Sequence, residues 1–195
     1  MCSRFEQKVR ATEVAKRYGL SDMPPQVNRP EIRPTDQALV ITSSGRARLA
    51  AWGFIVPWDK KPIINARSET LVDKITFRNQ LENRCVIPAS AYFEWRKVDL
   101  GKLKNRIFVD QMGIFSMAGL LNDDCFTVIT CAASPAISHI HSRMPAILSA
   151  EAETAWINGD LNYGEVNKHV LPYASKTLIS EEHSPPKPAQ GTLAF

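Results

Sequence analysis

The second residue of the chain is a cysteine, and removal of Met1 would leave Cys2 at the amino terminus. Cys2 would then carry an α-amine with a pKa of roughly 7.7–8.0 beside a thiol with a pKa of about 8.5, so both groups react near neutral pH. An amine condenses with an aldehyde to a Schiff base, and the adjacent thiol can close a five-membered thiazolidine ring. Its position alone favours an accidental second residue, so the interpretation of Cys2 depends on the rest of the chain.

Three later segments combine aromatic, charged and amide residues in a distinctive order. They are residues 52–58 (WGFIVPW) with 64–70 (INARSET), residues 84–88 (RCVIP) with 92–95 (YFEW), and residues 140–145 (IHSRMP). Together with the MCSRF start, this ordered set resembles the SRAP family, the SOS response-associated peptidase-like proteins. The resemblance extends from Met1 to the GTL sequence at 191–193, and it implies a sensor of abasic sites in single-stranded DNA.

The resemblance also implies a role for individual residues. Cys2 matches the nucleophile, which forms a covalent thiazolidine with the ring-opened abasic sugar, and Asn65 matches the residue that positions its amine and thiol. Glu94 matches the acid/base residue, and His141 matches the histidine beside the sugar. The predicted DNA-binding residues are Arg4, Arg67 and Arg143 for phosphates, and Pro34 and Trp52 for the unpaired bases, with Trp95 as a further candidate platform.

The proposed chemistry requires such residue types independently of the resemblance. An abasic sugar is mostly a closed hemiacetal, so its ring must open before an aldehyde is available. A histidine that titrates near neutral pH and a carboxylate with a raised pKa suit the proton transfers of that step. Glu94 lies between Phe93 and Trp95 in the sequence. A partly apolar pocket around its side chain would raise its pKa and keep a proton available.

Each candidate also has an ordinary structural interpretation. Glu94 fits a surface carboxylate on an alternating strand, and Asn65 fits a turn. His141 fits a loop histidine, with His139 as a competitor two positions away. The arginines fit surface ion pairs, and both tryptophans fit core positions. The functional interpretations gain weight only because they occur together.

Composition limits the class of protein. A net charge of +4, with 24 Lys and Arg residues against 20 Asp and Glu, is compatible with a polyanion partner. Because this net charge is modest, binding of the DNA backbone requires the positive groups to lie together in one groove. Further candidates for the margins of that groove are Arg46, Arg48, Lys60, Lys61 and Arg78. The four cysteines show no CxxC spacing, which argues against a metal site, and no cofactor is expected.

The chain lacks a run of eighteen apolar residues and an apolar stretch behind its first charges, which predicts neither a membrane helix nor a secretory signal. We therefore expect a cytoplasmic protein, associated with the nucleoid in a bacterial host. We also expect a monomer, because no heptad pattern is present.

The sequence patterns predict one α+β domain over residues 1–195 with a mainly antiparallel sheet, and the resemblance implies a barrel-like β core with flanking helices. Helices are predicted at 6–18, 69–82, 150–158 and 163–169, with a loop at 21–36 and a surface tail from Glu181 to Gly191. Strands are predicted at 38–42, 46–58, 84–88, 91–95, 106–109, 113–120 and 125–132.

The chain departs from the family pattern at Ser3, where the usual start has glycine, and the segment from Trp58 to Asn65 is shorter than usual. Serine lacks the backbone freedom of glycine, so the presentation of Cys2 is in question. Two alternatives to covalent capture stay open. One is a cysteine peptidase in which His141 activates Cys2, with self-removal of Met1 as one outcome, and the other is a noncovalent single-stranded DNA-binding protein.

Overall fold

The computed structural model describes residues 2–99, 101–173 and 177–183. The strands are β1 (Arg4–Val9), β2 (Val27–Ile32), β3 (Gln37–Thr42), β4 (Ala47–Trp52), β5 (Phe54–Val56), β6 (Asp59–Ile63), β7 (Asn65–Arg67), β8 (Arg84–Ala89), β9 (Ala91–Val98), β10 (Gly101–Val109), β11 (Phe115–Asn122), β12 (Cys125–Ala132), β13 (Arg143–Pro145), β14 (Ile147–Leu148) and β15 (Leu178–His183). The α-helices are α1 (Ala11–Tyr18), α2 (Ile75–Arg78), α3 (Ala150–Ile157) and α4 (Tyr163–Val166). Met1 and the predicted tail beyond residue 183 lie outside the described residues.

Five strands close into a small barrel. β12 pairs with β4, β4 with β3, β3 with β8, β8 with β11, and β11 returns to β12. Only the junction between β12 and β4 is parallel. Closure leaves no free edge within the ring, and the buried side chains of these strands fill its interior. The barrel-like, mainly antiparallel core that was expected is therefore confirmed.

A second, antiparallel sheet lies beside the barrel in the order β15-β10-β9-β1-β2. Gln7 on β1 joins it to the barrel, because its side-chain amide donates to the carbonyls of Leu39 on β3 and Pro88 on β8 and accepts from the Leu39 N–H. A buried amide with all these partners adds specificity to the packing. The two chain segments that carry Cys2 and Glu94 thus belong to one sheet held on the barrel wall.

The aromatic core lies between the two sheets. Trp52 on β4 stacks on Phe126 of β12, with ring centroids 6.3 Å apart, and Phe5 of β1 meets the Trp52 ring edge-on at 5.0 Å. Gly53 follows Trp52 with a φ of +122°, and a Cβ there would lie 2.5 Å from Pro62. Only glycine fits this position, where the chain leaves the barrel for the β5–β6 hairpin.

The predicted helix over 6–18 is wrong in its first half. Residues 4–9 form β1, Arg10 is extended, and the helix spans Ala11–Tyr18, followed by Gly19 with a φ of +62°. The charged and polar residues of β1 read as helix formers, but Glu6 is held in the sheet by Ser90 and Arg106. These tertiary hydrogen bonds override the local propensity.

The predicted helix over 69–82 is also mostly wrong. The segment contains a single 3-10 turn at Ser68–Thr70 and the one-turn helix α2, separated by the extended residue Lys74. Leu71 is buried, whereas Val72 and Ile75 are exposed. The predicted loop over 21–36 contains the strand β2. The predicted strand over 46–58 is divided at Gly53 into β4 and β5, which belong to different sheets. The other predicted strands of the barrel and the helices at 150–158 and 163–169 are close to the observed ones.

None of the helices in the described ranges is both long enough and apolar enough to span a membrane.

Candidate functional site

Cys2 lies just before β1 and is fully buried. Its thiol donates to the carbonyl oxygen of Arg4, with Sγ and O 3.4 Å apart. The side-chain amide of Asn65 donates to the carbonyl oxygen of Cys2 over 2.8 Å. Asn65 begins β7, which runs parallel to β12 of the barrel, so the barrel wall fixes the main chain at Cys2.

The backbone at Ser3 removes the concern raised by the missing glycine. Within the described ranges, a positive φ at a non-glycine residue occurs at Thr35, Gln111 and Asp123, and Ser3 does not share it. Serine therefore adopts this conformation without strain. The main chain at Ser3 therefore does not require glycine.

Glu94 lies on β9, which pairs with β1 through Arg4↔Phe93 and Phe5↔Tyr92. The pairing brings its carboxyl group into the neighbourhood of Cys2, and only 2% of the residue is exposed. Burial raises the pKa of Glu94, while the nearby His141 lowers it. Burial also raises the pKa of the Cys2 thiol, and the charge of Glu94 raises it further. The site therefore favours a protonated thiol beside a carboxyl group whose pKa is raised by burial.

His141 belongs to the loop between β12 and β13. Its Nδ1 accepts a hydrogen bond from the N–H of Arg143 over 3.0 Å. A neutral imidazole that accepts at Nδ1 carries its proton on Nε2. The electrostatic interaction between His141 and Glu94 places these two groups at one site. His139 lines the same cavity as His141.

A cavity of about 730 Å³ opens above Glu94 and His141. Its walls come from the start of β1, the β9–β10 hairpin and the β12–β13 loop, and they comprise Ser3, Arg4, Glu94, Trp95, Lys97, Lys102, Ser138, His139, Ile140, His141 and Ser142. The lining contains three cationic side chains, those of Arg4, Lys97 and Lys102, and one carboxyl group, that of Glu94. The opening is therefore suited to an anionic ligand. Within the described ranges, no group of three or more His, Cys, Asp and Glu side chains is placed to bind a metal.

The three arginines predicted to bind phosphates differ in their surroundings. Arg4 lines the cavity and pairs with Glu31, with Nε and Oε1 3.3 Å apart. Arg67 is exposed at the end of β7, opposite Thr130. Arg143 is mostly buried and makes a bidentate pair with Glu69, whose pKa it lowers to about 2 through these hydrogen bonds. A phosphate at Arg143 would therefore compete with Glu69.

The predicted contact between Trp52 and unpaired bases is wrong. Trp52 is 0% exposed, stacks inside the core on Phe126, and donates its indole N–H to the carbonyl of Ile64. A ring buried on all sides has no face left for a base. Pro34 lies half-buried in the β2–β3 turn, and Trp95 is half-buried in the cavity wall.

Sequence reasoning missed the exposed tryptophan of the same segment. Trp58 is 65% exposed in the turn of the β5–β6 hairpin, next to the predicted margin residues Lys60 and Lys61. The pair Lys60 and Lys61, two residues after the aromatic ring of Trp58, is the sequence feature that could have identified it as a candidate for nucleic-acid binding. Arg46 and Arg48, by contrast, line a separate cavity of about 470 Å³ between the β3–β4 turn and Asn83.

Sequence comparison relates the chain to known proteins. The family described as "SOS response associated peptidase (SRAP)" matches residues 1–184. The chain is 32% identical over 181 residues to the abasic site processing protein YoqW of Bacillus subtilis (strain 168), covering 81% of this chain and 80% of that protein. It is 29% identical to the abasic site processing protein HMCES of Xenopus tropicalis, covering 73% of this chain and 53% of that protein. The chain belongs to the SRAP family.

Solved structures share the fold. A protein from Bacteroides thetaiotaomicron superposes with a TM-score of 0.80 and 27% identity, covering 93% of this chain and 91% of that one. A protein from Bordetella bronchiseptica superposes with a TM-score of 0.81 over 94% of this chain and 100% of that one, and at 23% identity it supports the fold alone.

Proposed function

We propose that this protein captures abasic sites in single-stranded DNA by forming a covalent thiazolidine at Cys2. The observation that carries the proposal is the convergence of Cys2, Asn65, Glu94 and His141 behind one cationic cavity. The relatives named as abasic site processing proteins support the choice of substrate.

The reaction begins once Met1 has been removed. His141 and Glu94 transfer the protons that open the sugar ring and release its aldehyde. The α-amine of Cys2 attacks that carbon, and the resulting carbinolamine loses water with a proton donated by the Glu94 carboxyl group. The thiol then adds to the C=N bond: a C–S bond forms, the C=N π bond breaks, and the thiol proton ends on nitrogen.

The environment of the two Cys2 groups suits this order of steps. The buried, protonated thiol is a weak nucleophile until the imine has formed beside it. The raised pKa of Glu94 supplies a proton for the loss of water. Asn65 fixes the carbonyl of Cys2 and so limits the rotation of the residue that must form two bonds to one carbon.

DNA binding rests on phosphates and stacking rather than on base-specific contacts. Arg4, Lys97 and Lys102 line the cavity, and Arg67 is exposed at the end of β7. Trp58 offers an exposed ring on which an unpaired base can stack, a contact typical of single-strand binding. These groups favour a single strand, whose bases are open to Trp58.

The alternative of a cysteine peptidase takes its support from the family description. Cleavage by a thiolate requires a low thiol pKa, whereas burial and Glu94 raise the pKa of Cys2. We therefore restrict peptidase activity in this proposal to one event, the removal of Met1. The alternative of a noncovalent DNA binder keeps the cationic cavity but assigns no role to Asn65 and Glu94.

One gel assay separates the three functions. The protein is incubated with a single-stranded oligonucleotide that bears one abasic site, and the mixture is denatured before electrophoresis. The proposal expects an adduct that is lost in Cys2→Ala and retained in Cys125→Ala, which changes a partly exposed cysteine on β12. Binding to the strand without an adduct would favour the noncovalent binder, and peptide cleavage without an adduct would favour the peptidase.

A further inference from the structure

Tyr92 places a phenol inside the same site. It lies on β9 two residues before Glu94, so the alternation of a strand puts both side chains on one face of the sheet. The residue is 0% exposed. Its hydroxyl interacts electrostatically with Cys2, Glu94 and Cys131, the three titratable groups that face it.

The hydroxyl of Tyr92 is buried and has no hydrogen-bond partner within the described ranges. The second buried atom of this kind beside Cys2 is Oδ1 of Asn65. Buried polar atoms in native proteins almost always have partners, because leaving one unpaired costs free energy. Two such atoms around one residue indicate that their partners are supplied during the reaction.

We propose that Tyr92 is a further catalytic residue, whose hydroxyl donates a hydrogen bond to the sulfur of Cys2 as the thiol loses its proton. In the resting state the thiol donates to the Arg4 carbonyl over 3.4 Å. A sulfur that has lost its proton becomes an acceptor and can no longer use that carbonyl, so it needs a donor. The Asn65 amide is already committed to the carbonyl of Cys2, whereas the Tyr92 proton is uncommitted among the described residues.

This inference rests on the proposed function, since it describes the thiol addition to the imine. The Tyr92 proton is not consumed in that step. The thiol proton passes to the imine nitrogen as the C–S bond forms, while Tyr92 stabilises the negative charge that passes through sulfur. This stabilisation of the charge on sulfur is large because Tyr92 and Cys2 are both buried. Hydrogen bonds to charged groups are also stronger than those between neutral groups.

The test is Tyr92→Phe, which removes one oxygen atom, with Tyr163→Phe on α4 as the matched control. We expect Tyr92→Phe to lower the crosslinking rate on the order of tenfold, as for the loss of a hydrogen bond to a charged group. Its affinity for the intact single strand should be unchanged. Its midpoint of thermal unfolding should be unchanged or higher, since the hydroxyl has no partner in the resting state. A structural role would instead lower that midpoint.

A second readout does not involve DNA. Alkylation by iodoacetamide between about pH 7 and pH 9, followed peptide by peptide, reports the thiolate fraction of Cys2. Tyr92→Phe should slow alkylation of Cys2 by a similar factor, with Cys125 unaffected in the same sample. Wild-type rates at Cys2 in this variant would overturn the inference. A wild-type protein that makes no adduct would refute the proposed function, and the alkylation comparison would still decide the role of Tyr92.

Discussion

The side-chain amide of Asn65 donates a hydrogen bond to the main-chain carbonyl of Cys2 over 2.8 Å, and this contact ties the barrel wall to the start of the chain. The two residues are 63 positions apart in the sequence. The contact turns a residue near a chain end, ordinarily a mobile position, into a fixed one.

Replacement of Asn65 by alanine tests the value of that fixation. We expect Asn65→Ala to slow adduct formation roughly tenfold to a hundredfold, because a poorly oriented nucleophile loses the benefit of proximity. The rate is measured from a time course on denaturing gels. Asn28→Ala, at an exposed position of β2, is the control and should keep the wild-type rate. Equal rates for both variants would show that Asn65 does not position Cys2.

Glu94→Gln tests the buried carboxyl group through the pH dependence of stability. Burial raises the pKa of Glu94 above its ordinary value of 4.5, so the folded state holds the proton more tightly than the unfolded state. The stabilisation that this provides is present below 4.5 and is lost as the pH rises through the folded-state pKa. Glutamine stays neutral throughout. We therefore expect Glu94→Gln to unfold at a higher temperature than the wild type at pH 8, with the difference vanishing below pH 4.5.

The same variant should crosslink more slowly than the wild type, because it cannot donate or accept the proton. Glu151→Gln, at an exposed position of α3, is the control and should change neither property. A difference in unfolding temperature between Glu94→Gln and the wild type that is the same at all pH values would contradict a Glu94 pKa raised by burial.

Glu69→Gln tests the competition between Glu69 and DNA for Arg143. Loss of the bidentate pair leaves the guanidinium available, so we expect binding of single-stranded DNA to tighten roughly threefold to tenfold at low salt. Arg143→Ala should weaken binding and lower the salt slope by about 1. In the double variant Glu69→Gln should have no further effect. A gain in affinity that persists without Arg143 would assign the effect to the general loss of negative charge.

Trp58→Ala and Trp52→Ala form a pair with opposite expected outcomes. Trp58 is exposed, so its removal should weaken single-strand binding by about 1–3 kcal/mol and leave stability unchanged. Trp52 is fully buried, so its removal should destabilise the fold by about 3–5 kcal/mol. Fluorescence anisotropy with a labelled strand measures the change in binding, and thermal unfolding measures the change in stability. If both variants bind the single strand as tightly as the wild type, stacking by the β5–β6 hairpin is excluded.

The two tryptophans show what the sequence can and cannot predict about the site. Both belong to one WGFIVPW segment of similar composition, and the sequence offered no way to tell that Gly53 turns the chain out of the barrel between them. The strand alternation places Trp52 against Phe126, which is 74 residues later in the numbering and is unknown to local pattern reasoning. Local sequence patterns therefore could not tell which of the two tryptophans is buried and which is exposed.

The fold shows the same division. Apolar strands such as β12 were predictable because their burial follows from their own residues. β1 was not, because Glu6 and Gln7 are buried through partners on β3, β8 and β10 and at the residue between β8 and β9, which no local window contains. The helix over 69–82 was mispredicted because its apolar residues Val72 and Ile75, which the pattern would bury, lie on the surface.

The mass of the crosslinked amino-terminal peptide tests the central claim most directly. The adduct with an abasic oligonucleotide is digested with nuclease and protease, and the peptide that contains Cys2 is analysed by tandem mass spectrometry. Covalent capture by amine and thiol together predicts a peptide that begins at Cys2, lacks Met1, and carries the abasic sugar minus one water, with a sulfur that no longer reacts with iodoacetamide. A crosslink on another residue, or a Cys2 peptide that retains Met1 and an alkylatable thiol, would contradict it.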